Sequence, residues 1–284
     1  MSDELVSTRD KRIGWRRLSI VVPIAMLSLA PLIWSALLAL RPGDEIFRNL
    51  SPISWATFFP TEWTLDNFLT LLDSSFSKAI LNTVIVTGIA VIIGLMMASL
   101  AAFPLAVIAF PGRTAVFIVI VVSFLIPFEA VAIPLAGIFR DLGLQNTYLG
   151  LILPGIGNGL AVFLLRQFFA NIPPSLAEAA RMDGASWLRI YWQIYLPLSR
   201  PAMIGAGLIL FVFQWQSFLW PLLIAPDPEM KVIPVAIADF AGDVSVDYGA
   251  MFAGAILAVI IPLALLLAFQ RQFTASLASS GSKE

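Results

Sequence analysis

From Leu18 to Leu40 the chain runs without a single charged residue, and five more apolar runs follow: Ala79–Phe110, Thr114–Phe139, Tyr148–Leu165, Pro201–Pro226 and Tyr248–Gln270. About 20 apolar residues in a helix cross roughly 30 Å of hydrocarbon. Inside lipid there is no water to satisfy the backbone, so such runs must be helical. Among the five later runs only Thr114–Phe139 carries a charge, Glu129. The expected fold is therefore an all-α integral membrane protein with six transmembrane helices, near 18–40, 79–110, 114–139, 148–170, 201–226 and 248–270. The run 79–110 is too long for one upright crossing. It tilts or projects beside Pro111-Gly112-Arg113, or it forms two re-entrant helices broken at Pro104.

Composition agrees and narrows the chemistry. Charged residues make up 12% of the chain and hydrophobic ones 59%, against about 25% charged in soluble domains. There is no cysteine and no histidine, and the net charge is −1. Disulfides, Cys/His metal sites and histidine bases are thereby excluded, and nothing points to nucleic acid. Arg9, Lys11, Arg12, Arg16 and Arg17 precede the first run, as in a signal peptide. Signal peptides, however, have apolar cores of only about 7–15 residues, so the run 18–40 reads as a span that stays in place.

Lysine and arginine set the orientation. With the N-terminus inside, the inner side holds those five, then Arg113, Arg166, Arg181, Arg189, Arg200, Arg271 and Lys283; the outer side holds Arg41, Arg48, Lys78, Arg140 and Lys231. Twelve against five supports both termini in the cytoplasm. Residues 1–17 are then a cytoplasmic N-terminus, 18–273 the membrane domain, 171–200 a cytoplasmic loop between the fourth and fifth helices, and 274–284 an irregular cytoplasmic tail. Of the outer segments, 41–78 carries Trp55, Phe58, Phe59, Trp63 and Phe68. It reads either as an interfacial aromatic belt or as part of a docking face, with Thr64 or Asp66 capping a short helix.

The loop 171–200 is the polar exception. Pro173-Pro174 stops the fourth helix. Ser175 and Glu178 have capping-box spacing, and Asp183-Gly184 ends a short helix with Gly184 left-handed. Ser186 then caps a second helix over 187–195, which Pro197 breaks. A loop of about thirty residues with structure of its own usually has a function. Its Tyr191, Trp192, Ile194, Tyr195 and Leu196 need something to pack against.

Glu178-Ala179-Ala180, three residues, Gly184, nine residues, Ile194, one residue, Leu196-Pro197 is a pattern that resembles the cytoplasmic signature of the membrane-spanning subunits of ABC importers. "NTYLGLILPGI" (146–156), "FLLRQFF" (163–169) and "QRQF" (270–273) resemble the carbohydrate-uptake branch, with maltose-type and glycerol-phosphate-type permeases nearest. The resemblance implies that Glu178, Ala179, Ala180, Arg181, Asp183, Gly184, Ile194, Leu196 and Pro197 form a coupling helix docked on an ATPase subunit. It also implies two copies of that ATPase, a second homologous permease chain and an extracytoplasmic solute-binding protein, in a bacterial or archaeal cytoplasmic membrane. None of the four lysines follows a glycine, so no phosphate-binding P-loop exists here. No cofactor is expected on this chain, and ATP and Mg fall to the partner.

Candidates for the solute pathway are Glu129, Gln214, Trp215, Gln216, Asn82 and Asn158. A carboxylate in a proline-flanked membrane helix is a functional candidate, and amides beside an indole suit sugar hydroxyls. Relatives commonly read Trp-Asn-acid-Phe-Leu-Trp-Pro in the fifth span, where this chain has Gln216 and Ser217. One acid and no base favour a sugar, polyol or oligosaccharide over a glycerol-phosphate-type ester. An ion-coupled secondary transporter using Glu129 is the alternative from another class. A membrane-embedded enzyme finds no nucleophile–base pair to support it.

Overall fold

Prolines and glycines decide where the apolar runs bend. A computed structural model describes residues 2–48, 51–242 and 246–281, with side chains described over 18–48, 51–242 and 246–270. Fifteen α-helical elements are found among them, and no β-strand. They are α1 (Ser2–Ala39), α2 (Trp55–Phe58), α3 (Asp66–Asp73), α4 (Phe76–Val107), α5 (Arg113–Leu125), α6 (Phe128–Asp141), α7 (Tyr148–Ile156), α8 (Gly159–Ala170), α9 (Pro174–Met182), α10 (Trp187–Ile190), α11 (Leu196–Leu198), α12 (Arg200–Trp215), α13 (Leu219–Ile224), α14 (Ile233–Asp239) and α15 (Tyr248–Gly281).

Three helical stretches are long and apolar enough to cross a membrane alone: Leu18–Ala39, Phe76–Val107 and Tyr248–Gln270. The rest of the apolar length is broken: the run 114–139 falls into α5 and α6, the run 148–165 into α7 and α8, and the run 201–226 into α12 and α13. α5 and α6 meet at 91°, α7 and α8 at 43°, and the helical stretch Trp187–Leu198 meets α12 at 81°. The run 114–139 is thus two helices, because Ile126 precedes Pro127 and is pushed to extended backbone, with φ −70° and ψ 121°. The run 79–110 stays one helix through Pro104, ending at Val107, and the re-entrant alternative does not hold. The helix α15 continues to Gly281, through most of the tail expected to be irregular. The side chains of "QRQF" beyond Gln270, like those of residues 1–17, lie outside the described ones.

The chain divides into two compact units. The first, Met1–Ser74 with Asp239–Leu257, is knit by polar groups on the segment after α1. Arg41 is buried and its Nη2 donates to the carbonyls of Ala56 (2.7 Å) and Thr57 (3.0 Å). Asn67, on α3, donates through Nδ2 to the carbonyls of Ala39 (2.8 Å) and Arg41 (2.7 Å). Thr64 accepts from the Asp66 amide at 3.0 Å, one residue ahead of the cap position at Leu65. Trp55, Phe58, Phe59 and Trp63 remain exposed.

In the second unit, Ser75–Ala238 with Ala258–Glu284, α4 is the central strut. It packs on α7, α8 and α12 through small residues such as Ala90, Ala98 and Ala102. Gly94 brings it against the Ile156 backbone, where a Cβ would sit 3.1 Å from the carbonyl oxygen. Thr147 starts α7 by accepting from the Gly150 amide, and Asn158 starts α8 by accepting from the Ala161 amide, each at 3.0 Å.

Candidate functional site

Two places draw the candidate residues together: the 171–200 loop, and a cavity where the bent pairs meet within the second unit.

The loop packs on the α4 and α8 ends. Pro173 is the cap position and Pro174 the first helical residue of α9, so the helix starts two residues earlier than a Ser175 cap requires. Ser175 is inside the first turn, and the Ser175–Glu178 capping box does not form. At the other end the Gly184 amide donates to the Arg181 carbonyl (3.0 Å) and the Ala185 amide to the Ala180 carbonyl (2.9 Å). With Gly184 at φ +81° this is a Schellman stop. Ser186 caps α10 through the Arg189 amide at 3.3 Å, as expected. Beyond it the helix passes through a π turn, Tyr191–Tyr195, straight into α11. Pro197 lies inside this continuation, where its missing amide is tolerated in the first turn of α11, and the chain bends instead at Ser199.

The base of the loop is aromatic. Ala177, Ile190, Tyr191 and Tyr195 are buried with Phe103, Leu165, Phe169 and Ile172. Phe103 stands edge-on to Tyr195 at 5.1 Å, and Tyr191 lies 5.4 Å away. Burial pushes both tyrosine hydroxyls above their ordinary pKa, with the hydrogen bond from Ser99 partly offsetting this at Tyr191. Ala180, Ile194 and Leu196 pack against this cluster, so they brace the loop rather than face outward. Arg181 is committed within the loop: its Nη1 donates to the Ala185 carbonyl (2.9 Å) and its guanidinium lies 5.0 Å from the Trp187 ring. What projects is a crown of Glu178, Ala179, Asp183 and Gly184 with Met182 at 88% and Leu188 at 65% exposure. Pro197 is exposed apart from it.

The cavity, about 610 Å3, is lined from both sides of the α5–α6 and α7–α8 bends. It gathers three sequence candidates: Glu129, Asn158 and Gln214. Glu129 stands in the first turn of α6, directly after the Pro127 break. Gln214 lies against Gly155, where any Cβ would collide with its amide. Phe124, Phe128, Phe213 and Trp220 supply aromatic walls, and no lysine or arginine is among the lining residues. Ser123 and Ser217 also face in. Ser123 was missed by the sequence reading, although a hydroxyl four residues before Pro127 in an apolar run is a usable signal.

Three candidates lie elsewhere. Asn82 is buried and saturated: its Nδ2 donates to the carbonyls of Glu229 and Lys231, each at 2.9 Å, and its Oδ1 accepts from the Tyr148 hydroxyl at 2.7 Å. Thr83 beside it accepts from the Ile233 amide (2.8 Å), and Lys78 pairs with Glu229. This corner fastens the start of α4 to the 227–233 segment. Trp215 is buried, with its indole on the Ala258 carbonyl at 3.0 Å. Gln216 faces a separate hollow with Val212 and Leu266.

Residues 90–278 match the family model described as "Binding-protein-dependent transport system inner membrane component". The chain is 32% identical to the arabinooligosaccharides transport system permease protein of Halalkalibacterium halodurans over 92% of its own length and 93% of that protein's. It is 38% identical to the sn-glycerol-3-phosphate transport system permease protein of Rhizobium meliloti, over 72% of this chain and 73% of the relative. Among solved structures, a chain of a bacterial ABC transporter involved in import of alginate superposes with a TM-score of 0.77 at 23% identity, covering 93% of this chain and 97% of that one. The chain therefore belongs to the binding-protein-dependent transport system inner membrane components, as a multi-pass permease subunit of an ABC importer.

Proposed function

We propose that this permease carries a neutral, hydroxyl-rich solute, a sugar, polyol or oligosaccharide, by alternating access. The carrying observation is the cavity: Glu129, Asn158 and Gln214 converge between aromatic walls with no cation among the lining residues. Carboxylate and amide oxygens accept from hydroxyls, and aromatic faces match the C–H faces of a sugar ring. Among the lining residues of this chain an anionic cargo would meet Glu129 with no cation to offset it. The arabinooligosaccharides relative, like one whose name is the diacetylchitobiose uptake system permease protein of Streptomyces coelicolor, supports the carbohydrate reading. The Rhizobium meliloti relative supports a glycerol-phosphate-type ester as the second reading.

The working assembly is two ATPase subunits, a second permease chain homologous to this one and an outer solute-binding protein, with ATP and Mg on the ATPases. In this chain the six spans comprise the three long helices, the α5–α6 and α7–α8 pairs, and α12 with α13, with both termini and the 171–200 loop in the cytoplasm and residues 18–273 as the membrane domain. The crown of Glu178, Ala179, Met182, Asp183 and Gly184 seats in the ATPase, and the aromatic base turns its displacement into a rigid-body movement. Family membership favours ATP coupling over the ion-coupled reading of Glu129. The test is the complex in proteoliposomes with its binding protein, screened for solutes that stimulate ATP hydrolysis. Stimulation by a neutral oligosaccharide but not by glycerol phosphate supports the first reading, and the reverse supports the second.

A further inference from the structure

A proline at position i of a helix cannot donate to the carbonyl at i−4 and leaves that oxygen without its helical partner. Pro154, inside α7, frees the carbonyl of Gly150; Pro262, inside α15, frees that of Ala258. Each of these two carbonyls is taken by an indole. Trp220 donates through Nε1 to Gly150 at 2.9 Å, and Trp215 donates through Nε1 to Ala258 at 3.0 Å. Both tryptophans are buried. They stand at the two edges of one break in the chain, since α12 ends at Trp215 and α13 begins at Leu219.

We propose that Trp215 and Trp220 are positioning residues for transport: each indole closes a proline-freed carbonyl, and together the two clasps hold the 215–220 segment so that Gln214 and Ser217 face the cavity. This rests on the transport reading above and adds the means by which its polar groups are aimed. Trp215 fixes the end of α12 one residue after Gln214. Trp220 fixes the start of α13 and packs edge-on against Phe139 (5.0 Å) and Phe128 (5.9 Å), the residue preceding Glu129. The same indole therefore links the carbonyl that Pro154 frees in α7 to the first turn of α6. An indole N–H is a single donor with one direction, so each bond constrains its helix end more tightly than apolar packing alone.

A clasp that merely satisfies a buried carbonyl and a clasp that aims a helix end make different predictions for one double variant. Trp220→Phe keeps an aromatic ring and deletes the N–H. Adding Pro154→Ala supplies a helical amide to the Gly150 carbonyl. The full complex, in proteoliposomes with its binding protein, is read for thermal stability and for solute taken up per ATP hydrolysed. We expect Trp220→Phe to lower both: stability through the orphaned buried carbonyl, and the uptake ratio by about tenfold, the size of coupling changes that mutations away from a ligand cause. In Trp220→Phe/Pro154→Ala stability should return while the uptake ratio stays low. The pair Trp215→Phe and Trp215→Phe/Pro262→Ala should behave alike. Wild-type uptake per ATP in either single variant, or its recovery in either double variant, would overturn the proposal. Failure of the wild-type complex to move solute with ATP would instead overturn the transport reading beneath it, and the wild-type control separates the two.

Discussion

The hydroxyls of Ser99 and Tyr191 meet at 2.6 Å, both residues with no exposed surface, and this bond ties the last third of α4 to the π turn that follows α10 in the 171–200 loop. Ser99 also reaches the Met96 carbonyl at 3.1 Å, so its own oxygen keeps a partner when the tyrosine hydroxyl is removed. Tyr191→Phe should therefore cost about 1 kcal/mol of stability, the net worth of one hydrogen bond. Ser99→Ala should cost at least as much, because it leaves the buried Tyr191 hydroxyl alone. In a thermal-melt double-mutant cycle the two losses should be markedly less than additive.

Gly184 holds φ +81°, a region open to glycine and closed to proline, and its amide is bonded to Arg181. Gly184→Pro breaks both features, so α9 and α10 lose their fixed angle. The variant should insert and assemble yet hydrolyse ATP with little uptake. Simultaneous measurement of both in proteoliposomes checks this, and normal uptake would remove the coupling assignment from this loop.

Glu178 is exposed and makes no capping bond to the start of its helix. Its replacement by lysine should change the melting of the isolated permease by no more than about 0.5 kcal/mol, as for surface sites away from special features. Co-purification with the ATPase subunit should fall. A destabilised permease with undiminished association would show that the side chain serves its own helix.

Arg181 bonds the Ala185 carbonyl and lies over Trp187. Both contacts use the planar guanidinium, which stacks and donates at once in a way that the point charge of lysine does not match. Arg181→Lys should therefore cost about 0.5–1 kcal/mol, the size of an exposed cation–π contact, seen as faster proteolysis at the α9–α10 turn.

How much of this was legible in the sequence depended on whether a signal had a local partner. Gly184 and Ser186 were readable because their partners lie within four residues. The Ser175 cap was misplaced because Pro174 suits the first helical position, so the helix begins ahead of the serine. The break at Pro127 was hidden by hydropathy, since apolar length counts residues and says nothing of direction. Asn82 and Trp215 were named for an amide and an indole that suit sugar hydroxyls, and their distant partners were invisible in the sequence. Asn82 finds carbonyls nearly 150 positions along the chain, and Trp215 finds one that is free only because Pro262 comes four residues after it. Glu129, Asn158 and Gln214 were named separately by chemistry, and only the two bent pairs bring them to one cavity.

The most direct measurement is solute uptake into vesicles holding the complete complex, with ATP on the side that bears the 171–200 loop and a protonophore present. Uptake should require ATP and the solute-loaded binding protein and be indifferent to the protonophore. Uptake that continues without ATP and collapses when the ion gradient is dissipated would contradict the assignment of this chain as an ATP-coupled importer subunit.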